Sequence, residues 1–351
     1  MRSDRRLVLV SILAFSLAAA ALGAASSGEQ RAQAAGRALI GTPAPGLVLK
    51  TIDGETIDLK RLYGRQAVYL KIWATWCVPC RQQMPHFEHT YETAGPDLAV
   101  IAINAGFNDS VEEVRAYRRE LGITMPIAID DGQAAGAFHL RVTPQHIVIG
   151  RDGRILYVGH LADAQLDAAL AAARSAPSTS AAHAGAAARA AAAVHRYRLG
   201  DRLPELSPAT LDGRRFAFYA PAGPEHVANR LVLVFLSPWC ESYLATTRPA
   251  VSANCRQMRE QAAELAGESG TRWLGIASGL WATPADLREY RATYGVRIPL
   301  SLDESGALFR AFGITEVPAA LIADGRGRIV RIIGGQQVEA PSALRTAINS
   351  P

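Results

Sequence analysis

Ala67-Val68-Tyr69-Leu70-Lys71-Ile72-Trp73-Ala74-Thr75-Trp76-Cys77-Val78-Pro79-Cys80 carries two signals in succession. Its first seven residues form an apolar run that reads as a strand. Two cysteines separated by two residues follow, and Arg81-Gln82-Gln83-Met84-Pro85-His86-Phe87 continues as a helix. Thiols spaced this way at a strand-to-helix turn can close a small disulfide ring. Cys77 would sit at the helix N-terminus, where free N–H groups and the helix dipole favour a thiolate, the nucleophilic form of cysteine. Pro79 suits the first turn, which needs no amide donor, and Pro85 should kink the helix further on. The chemistry implied is thiol exchange, with Cys77 attacking a disulfide and Cys80 resolving the mixed disulfide. A zinc ribbon would need a second cysteine pair at short range, and the sequence has none.

The same rhythm recurs further along the chain. Leu231-Val232-Leu233-Val234-Phe235-Leu236 runs into Trp239-Cys240, as the first strand runs into Trp76-Cys77. Asp53-Gly54 and Asp212-Gly213 each sit between short apolar alternations, a hairpin signal. Gly122-Ile123-Thr124-Met125-Pro126-Ile127 matches Gly295-Val296-Arg297-Ile298-Pro299-Leu300, and Val142-Thr143-Pro144 matches Glu316-Val317-Pro318. A chain of 351 residues exceeds what one core usually supports, so the repeat is read as two tandem α/β domains, each a central mixed sheet flanked by helices. The boundaries expected are 37–173 for the first domain, 174–195 for an Ala/Ser-rich linker and 196–351 for the second.

Residues 37–173 resemble the TlpA/ResA-like branch of the thioredoxin superfamily. The resemblance rests on Trp73-Ala74-Thr75-Trp76-Cys77-Val78-Pro79-Cys80-Arg81, on Met84-Pro85 and on Thr143-Pro144. It implies two thioredoxin-like folds, a cis Thr143–Pro144 bond beside the cysteine pair, and docking of the substrate backbone by Trp76, Thr143 and Pro144. It also implies protein thiols and disulfides as partners, a membrane electron donor, and neither cofactor nor metal. Two departures stand out. Thioredoxins place a buried acid where this chain has Lys71, and many family members place Glu where it has Gln83. Lys71 either tunes the Cys77 thiolate by its charge or lines the strand with its stem while the ammonium reaches water.

The second half keeps Cys240 at the place of Cys77 but carries Tyr243 at the place of Cys80. Cys255 lies beyond Arg248-Pro249. A straight helix would separate Cys240 and Cys255 by about 22 Å, so a disulfide between them requires the segment to fold back. Three readings stay open: a structural disulfide, a peroxidatic or exchange-active Cys240 resolved by Cys255, and a redox-silent docking module. The corresponding alternatives for the whole chain are a client-binding or redox-sensing module and a peroxiredoxin-like thiol peroxidase using Cys240.

Arg2, Arg5 and Arg6 precede an apolar run from Leu7 to Ala25, the pattern of an export segment, with a cleavage position expected near Ala32-Gln33-Ala34. Residues 1–35 are therefore either a cleaved signal or a retained anchor through 7–25. Both place the remainder in the periplasm or on the periplasmic side of the inner membrane. The net charge of +5 is small for the length, and no Lys/Arg run marks a nucleic-acid footprint. His86 and His89 read as a helix surface rather than a metal pair, and His146 as a packed strand histidine.

Overall fold

Strand β3 (Ala67–Trp73) is buried along its whole length and organises the first half of the molecule. The computed structural model describes residues 28–175, 195–218, 230–267, 270–334 and 343–349. The expected anchor at 7–25 and nearly all of the expected linker lie outside the described residues. A helix, α1, covers residues 28–36, including the expected cleavage position, and buries Ala32. Among the described residues no helix is long and apolar enough to cross a membrane.

The first half begins with the hairpin β1 (Val48–Lys50) and β2 (Thr56–Asp58), paired antiparallel around the Asp53-Gly54 turn. Gly54 has φ +91°, a conformation that favours glycine. After β3 come helices α2 (Val78–Gln82) and α3 (Met84–Glu92), divided at Gln83 just ahead of Pro85. The remaining elements are β4 (Leu98–Asn104), α4 (Val111–Leu121), β5 (Ile127–Ile129), α5 (Gln133–Ala137), β6 (Gln145–Ile149), β7 (Ile155–Gly159) and α6 (Ala164–Ser175). The sheet order is β5-β4-β3-β6-β7; β3, β4 and β5 are parallel, while β6 runs antiparallel to β3 and β7. Helix α4 begins where its sequence provides a start: Ser110 caps the amide of Glu113 and Glu113 caps the amide of Ser110. It ends at Gly122 in the left-handed region.

Alternation along β3 sorts its side chains between two layers. Tyr69 and Trp73 pack with Phe87, Val114, Tyr117 and Leu166 from the longer helices. Val68, Leu70 and Ile72 pack with Leu49 of the hairpin, Leu59 of a short 3-10 turn, and Phe138 beyond α5. The flanking is therefore unequal: three longer helices on one face, the hairpin and short turns on the other.

The second half is built from β8 (Arg230–Leu236), α7 (Cys240–Thr247), α8 (Pro249–Leu265), β9 (Thr271–Ser278), α9 (Pro284–Tyr294), β10 (Leu300–Asp303), α10 (Ala307–Ala311), β11 (Ala319–Asp324), β12 (Ile329–Ile333) and α11 (Ala343–Asn349). Its sheet order, β10-β9-β8-β11-β12, and its strand senses repeat those of the first. The hairpin is less regular: Asp212-Gly213 still turns, an isolated bridge joins Ala209 and Arg215, and the Phe216 and Phe218 amides donate to the Pro208 and Leu206 carbonyls. Short strands at Ile127–Ile129 and Leu300–Asp303 extend each sheet by one edge that the coarse sequence reading passes over.

Helix α7 ends at Arg248, whose φ of −142° and ψ of 64° leave the helical region, and α8 restarts with Pro249. The two helices fold back on each other and bring the Cα atoms of Cys240 and Cys255 to 6.3 Å, where a disulfide joins them. The disulfide fits a structural bridge and a Cys240 resolved by Cys255 alike, since both need these sulfurs to meet. Replacing Cys255 by serine should lower the unfolding free energy of this half by about 3 kcal/mol through loss of a 15-residue loop constraint. Urea denaturation followed at the buried Trp273 would show it as a lower midpoint.

Candidate active site

Cys77 is the N-cap of α2, with extended backbone (φ −81°, ψ 106°), and its Sγ accepts the amide N–H of Cys80 at 3.2 Å. Pro79 lies in the first turn, where the missing donor costs nothing. Cys77 and Cys80 are joined by a disulfide with Cα atoms 5.2 Å apart. Both are almost fully buried, at 1% and 0% exposure. The Thr143–Pro144 bond is cis, and the Thr143 carbonyl oxygen lies 3.3 Å from Cys77 Sγ. Val317–Pro318 is cis at the matching place. The Trp76 indole donates to the Phe107 carbonyl at 2.7 Å. The fold thus brings Trp76, Cys77, Cys80, Thr143 and Pro144 together, while Cys240 and Cys255 pair with each other.

Beneath the dithiol lies a buried polar layer. Lys71 is 0% exposed; its Nζ lies 3.5 Å from the Cys80 carbonyl oxygen and 5.2 Å from the Phe87 ring centre. The reading in which its ammonium reaches water is therefore overturned, because β3 is covered on both faces. Burial lowers the Lys71 pKa to about 7. Lys71 pairs in register with His146 on β6. His146 Nε2 meets the Gln83 Oε1 acceptor at 2.7 Å, and its Nδ1 meets the Tyr69 hydroxyl at 2.8 Å. That arrangement puts the ring proton on Nε2 and leaves Nδ1 to accept from Tyr69. Burial, and next the charge of Lys71, hold His146 well below its ordinary pKa. Gln83 Nε2 donates to the His160 carbonyl at 3.3 Å, and His160 Nδ1 donates to the Pro144 carbonyl at 2.7 Å. Burial lowers the His160 pKa as well.

In the second half the register pair matching Lys71 and His146 is the apolar Val234 and Ala320. Sequence reasoning passed over Tyr69 and His160, because only the β3–β6 register and the turn after β7 bring them under the dithiol. Asp109 was equally unmarked; its carboxylate accepts from Thr75 N at 2.8 Å and Asn104 Nδ2 at 2.7 Å, steadying the turn before Trp76. His86 meets Asp167 at 3.1 Å, and His89 is exposed.

A disulfide capping a helix beside a cis-proline, on this sheet, defines a thioredoxin-like oxidoreductase. The AhpC/TSA family model matches residues 40–158. The thiol-disulfide oxidoreductase ResA of Halalkalibacterium halodurans is 36% identical over 120 residues, which make up 34% of this chain and 66%, just under two thirds, of that protein. The thioredoxin-like protein YneN of Bacillus subtilis is 33% identical over 130 residues, 36% of this chain and 76% of that protein. A solved thiol:disulfide interchange protein of Chlorobium tepidum TLS aligns at 26% identity over 38% of this chain and 97% of that one, with a TM-score of 0.35. The chain belongs to the thioredoxin-like family of ResA and YneN.

The Lys71 pKa carries a stability consequence. An unfolded lysine titrates near 10.4, so between about pH 7 and that value the unfolded chain binds a proton that the folded chain does not. Stability contributed at this site therefore rises with pH across that window. Subtracting the stability profile of Lys71→Met from that of the wild type should leave this rise. A flat difference would mean that Lys71 keeps an ordinary pKa.

Proposed function

We propose that the chain is an extracytoplasmic thiol–disulfide oxidoreductase that reduces client disulfides by dithiol exchange at Cys77 and Cys80. The observation that carries this reading is the Cys77–Cys80 disulfide at the start of α2, with Cys77 Sγ 3.3 Å from the carbonyl that precedes cis-Pro144. In the reduced protein, the Cys77 thiolate attacks one sulfur of the client disulfide. A mixed disulfide forms, and the other client sulfur leaves as a thiolate and takes a proton. The Cys80 thiolate then attacks Cys77 Sγ and releases the second client sulfur. Two electrons pass to the client, and Cys77–Cys80 is left oxidised. A membrane electron donor returns the pair to the dithiol form. Trp76, Thr143 and Pro144 form the docking edge.

The usual carboxylates are replaced at the positions that handle protons. Lys71, poised near neutrality behind Cys80, accepts the Cys80 proton as an amine and favours thiolate charge as an ammonium. Gln83 fixes the His146 tautomer by accepting from Nε2. In this reading residues 37–173 are the catalytic domain and 196–351 a degenerate thioredoxin-like copy joined through 174–195. The repeated sheet order and the Val234–Ala320 replacement support that division. Residues 1–35 export or anchor the protein and place it in the periplasm, a reading supported by Arg2, Arg5 and Arg6 ahead of the apolar run.

Insulin reduction driven by a chemical reductant tests the reading. Cys77→Ser should abolish turnover, and Cys80→Ser should accumulate a mixed disulfide at Cys77 visible by mass. Equal turnover by wild type and Cys77→Ser would overturn it. Lys71→Met should slow turnover near pH 7 by roughly tenfold and less at alkaline pH, where Cys80 ionises unaided.

A further inference from the structure

The edge on which a client would dock is occupied by the second half of the same chain. We infer that this half is a built-in occupant of the dithiol's docking edge, so that client exchange requires the two halves to part. The inference rests on the dithiol-exchange reading and concerns access to the same site.

The contacts fall on the atoms a client would need. Trp281 N donates to the Arg141 carbonyl at 2.8 Å, and its indole Nε1 donates to Thr143 Oγ1 at 3.2 Å. Trp281 has φ +55°, a left-handed conformation disfavoured for a bulky side chain. The Val78 amide, at the start of α2, donates to the Tyr243 hydroxyl at 3.0 Å. Tyr243 occupies the sequence place of the lost second cysteine, so the residue that ends dithiol chemistry in one half reaches the motif of the other. The Trp76 and Trp239 rings meet at a 30° tilt with centres 5.0 Å apart. Arg248 ties the rim, reaching Asp109 at 2.8 Å and Thr75 Oγ1 at 2.6 Å, and pairing with Glu113.

The arrangement is reciprocal. Asn108 matches Trp281 in register and likewise has φ +55°. Its N–H donates to the Thr315 carbonyl at 2.8 Å, and its Oδ1 accepts from Val317 N at 2.7 Å. Arg141 and Thr315 each lie three residues before a cis-proline. Each half therefore places the loop after its second long strand against the other's cis-proline loop. An extended client segment adding to this backbone would make the same kind of main-chain bonds. Cys77 and Thr143 are left at 1% and 0% exposure, while Val78 and Tyr243 stay open at the rim.

The test is alkylation of Cys77 in the reduced full-length chain, comparing iodoacetamide with a polyethylene-glycol maleimide and locating the adduct by mass. In the wild type the bulky reagent should lag behind its rate on the urea-unfolded chain far more than iodoacetamide does. Tyr243→Phe, which removes one hydroxyl and keeps the ring, should speed the bulky reaction roughly fivefold, the worth of one hydrogen bond holding the closed form. Arg248→Ala should speed it roughly tenfold or more, and insulin turnover should rise in parallel. Equal lag for both reagents in the wild type, or bulky-reagent rates unchanged in Tyr243→Phe, would overturn the inference. If dithiol exchange itself were wrong, Cys77→Ser would retain insulin turnover while the size-dependent protection of Cys77 persisted, so the two failures are distinguishable.

Discussion

The capping of helix α2 by Cys77 is the interaction on which the site depends. A sulfur in that position accepts the Cys80 N–H, which has no carbonyl partner within the helix, and faces the positive end of the helix dipole. The rest of the first half fixes that geometry. Strand β3 is the middle of the sheet and delivers the chain to the turn. Asp109 steadies the turn through Thr75, and β6, paired with β3, sets the cis Thr143–Pro144 bond against the sulfur.

What lies under the sulfur pair differs from a carboxylate-based arrangement. A lysine and two histidines are closed off from water, a half-buried glutamine meets one of the histidines, and each histidine tautomer is set by its partners. Burial pushes Lys71, His146 and His160 toward their neutral forms. Such a layer can take up one proton when the dithiol ionises without stranding a permanent charge in a dry core. In the second half the same register pair is Val234 and Ala320, and the cysteine matching Cys77 is tied to Cys255 on the following helix. The second half thus has neither the redox spacing nor this lysine–histidine pair.

The sequence made much of this legible because its strongest signals are local. Strand, Trp-Cys, helix and a later Thr-Pro or Val-Pro are each written within a few residues, and their repetition exposes both sheets. The fold-back joining Cys240 to Cys255 could be stated as a requirement but not chosen, since it turns on the backbone of one residue, Arg248. Lys71 could be singled out, yet whether it reached water depended on what covered β3. Tyr69, Asp109 and His160 carried no local mark; they matter through pairings across 77, 34 and 16 residues. The contacts of Trp281 and Tyr243 with the first half were likewise hidden, because no periodicity records how two sheets face each other.

Titration of the reduced protein by thiolate ultraviolet absorbance, with Cys80→Ser used to isolate the first cysteine, would measure how strongly the helix start holds the Cys77 charge. Cys77 should ionise well below the ordinary thiol value of about 8.5, because the Cys80 N–H and the helix dipole hold its charge. A Cys77 that ionises at or above that value would contradict this.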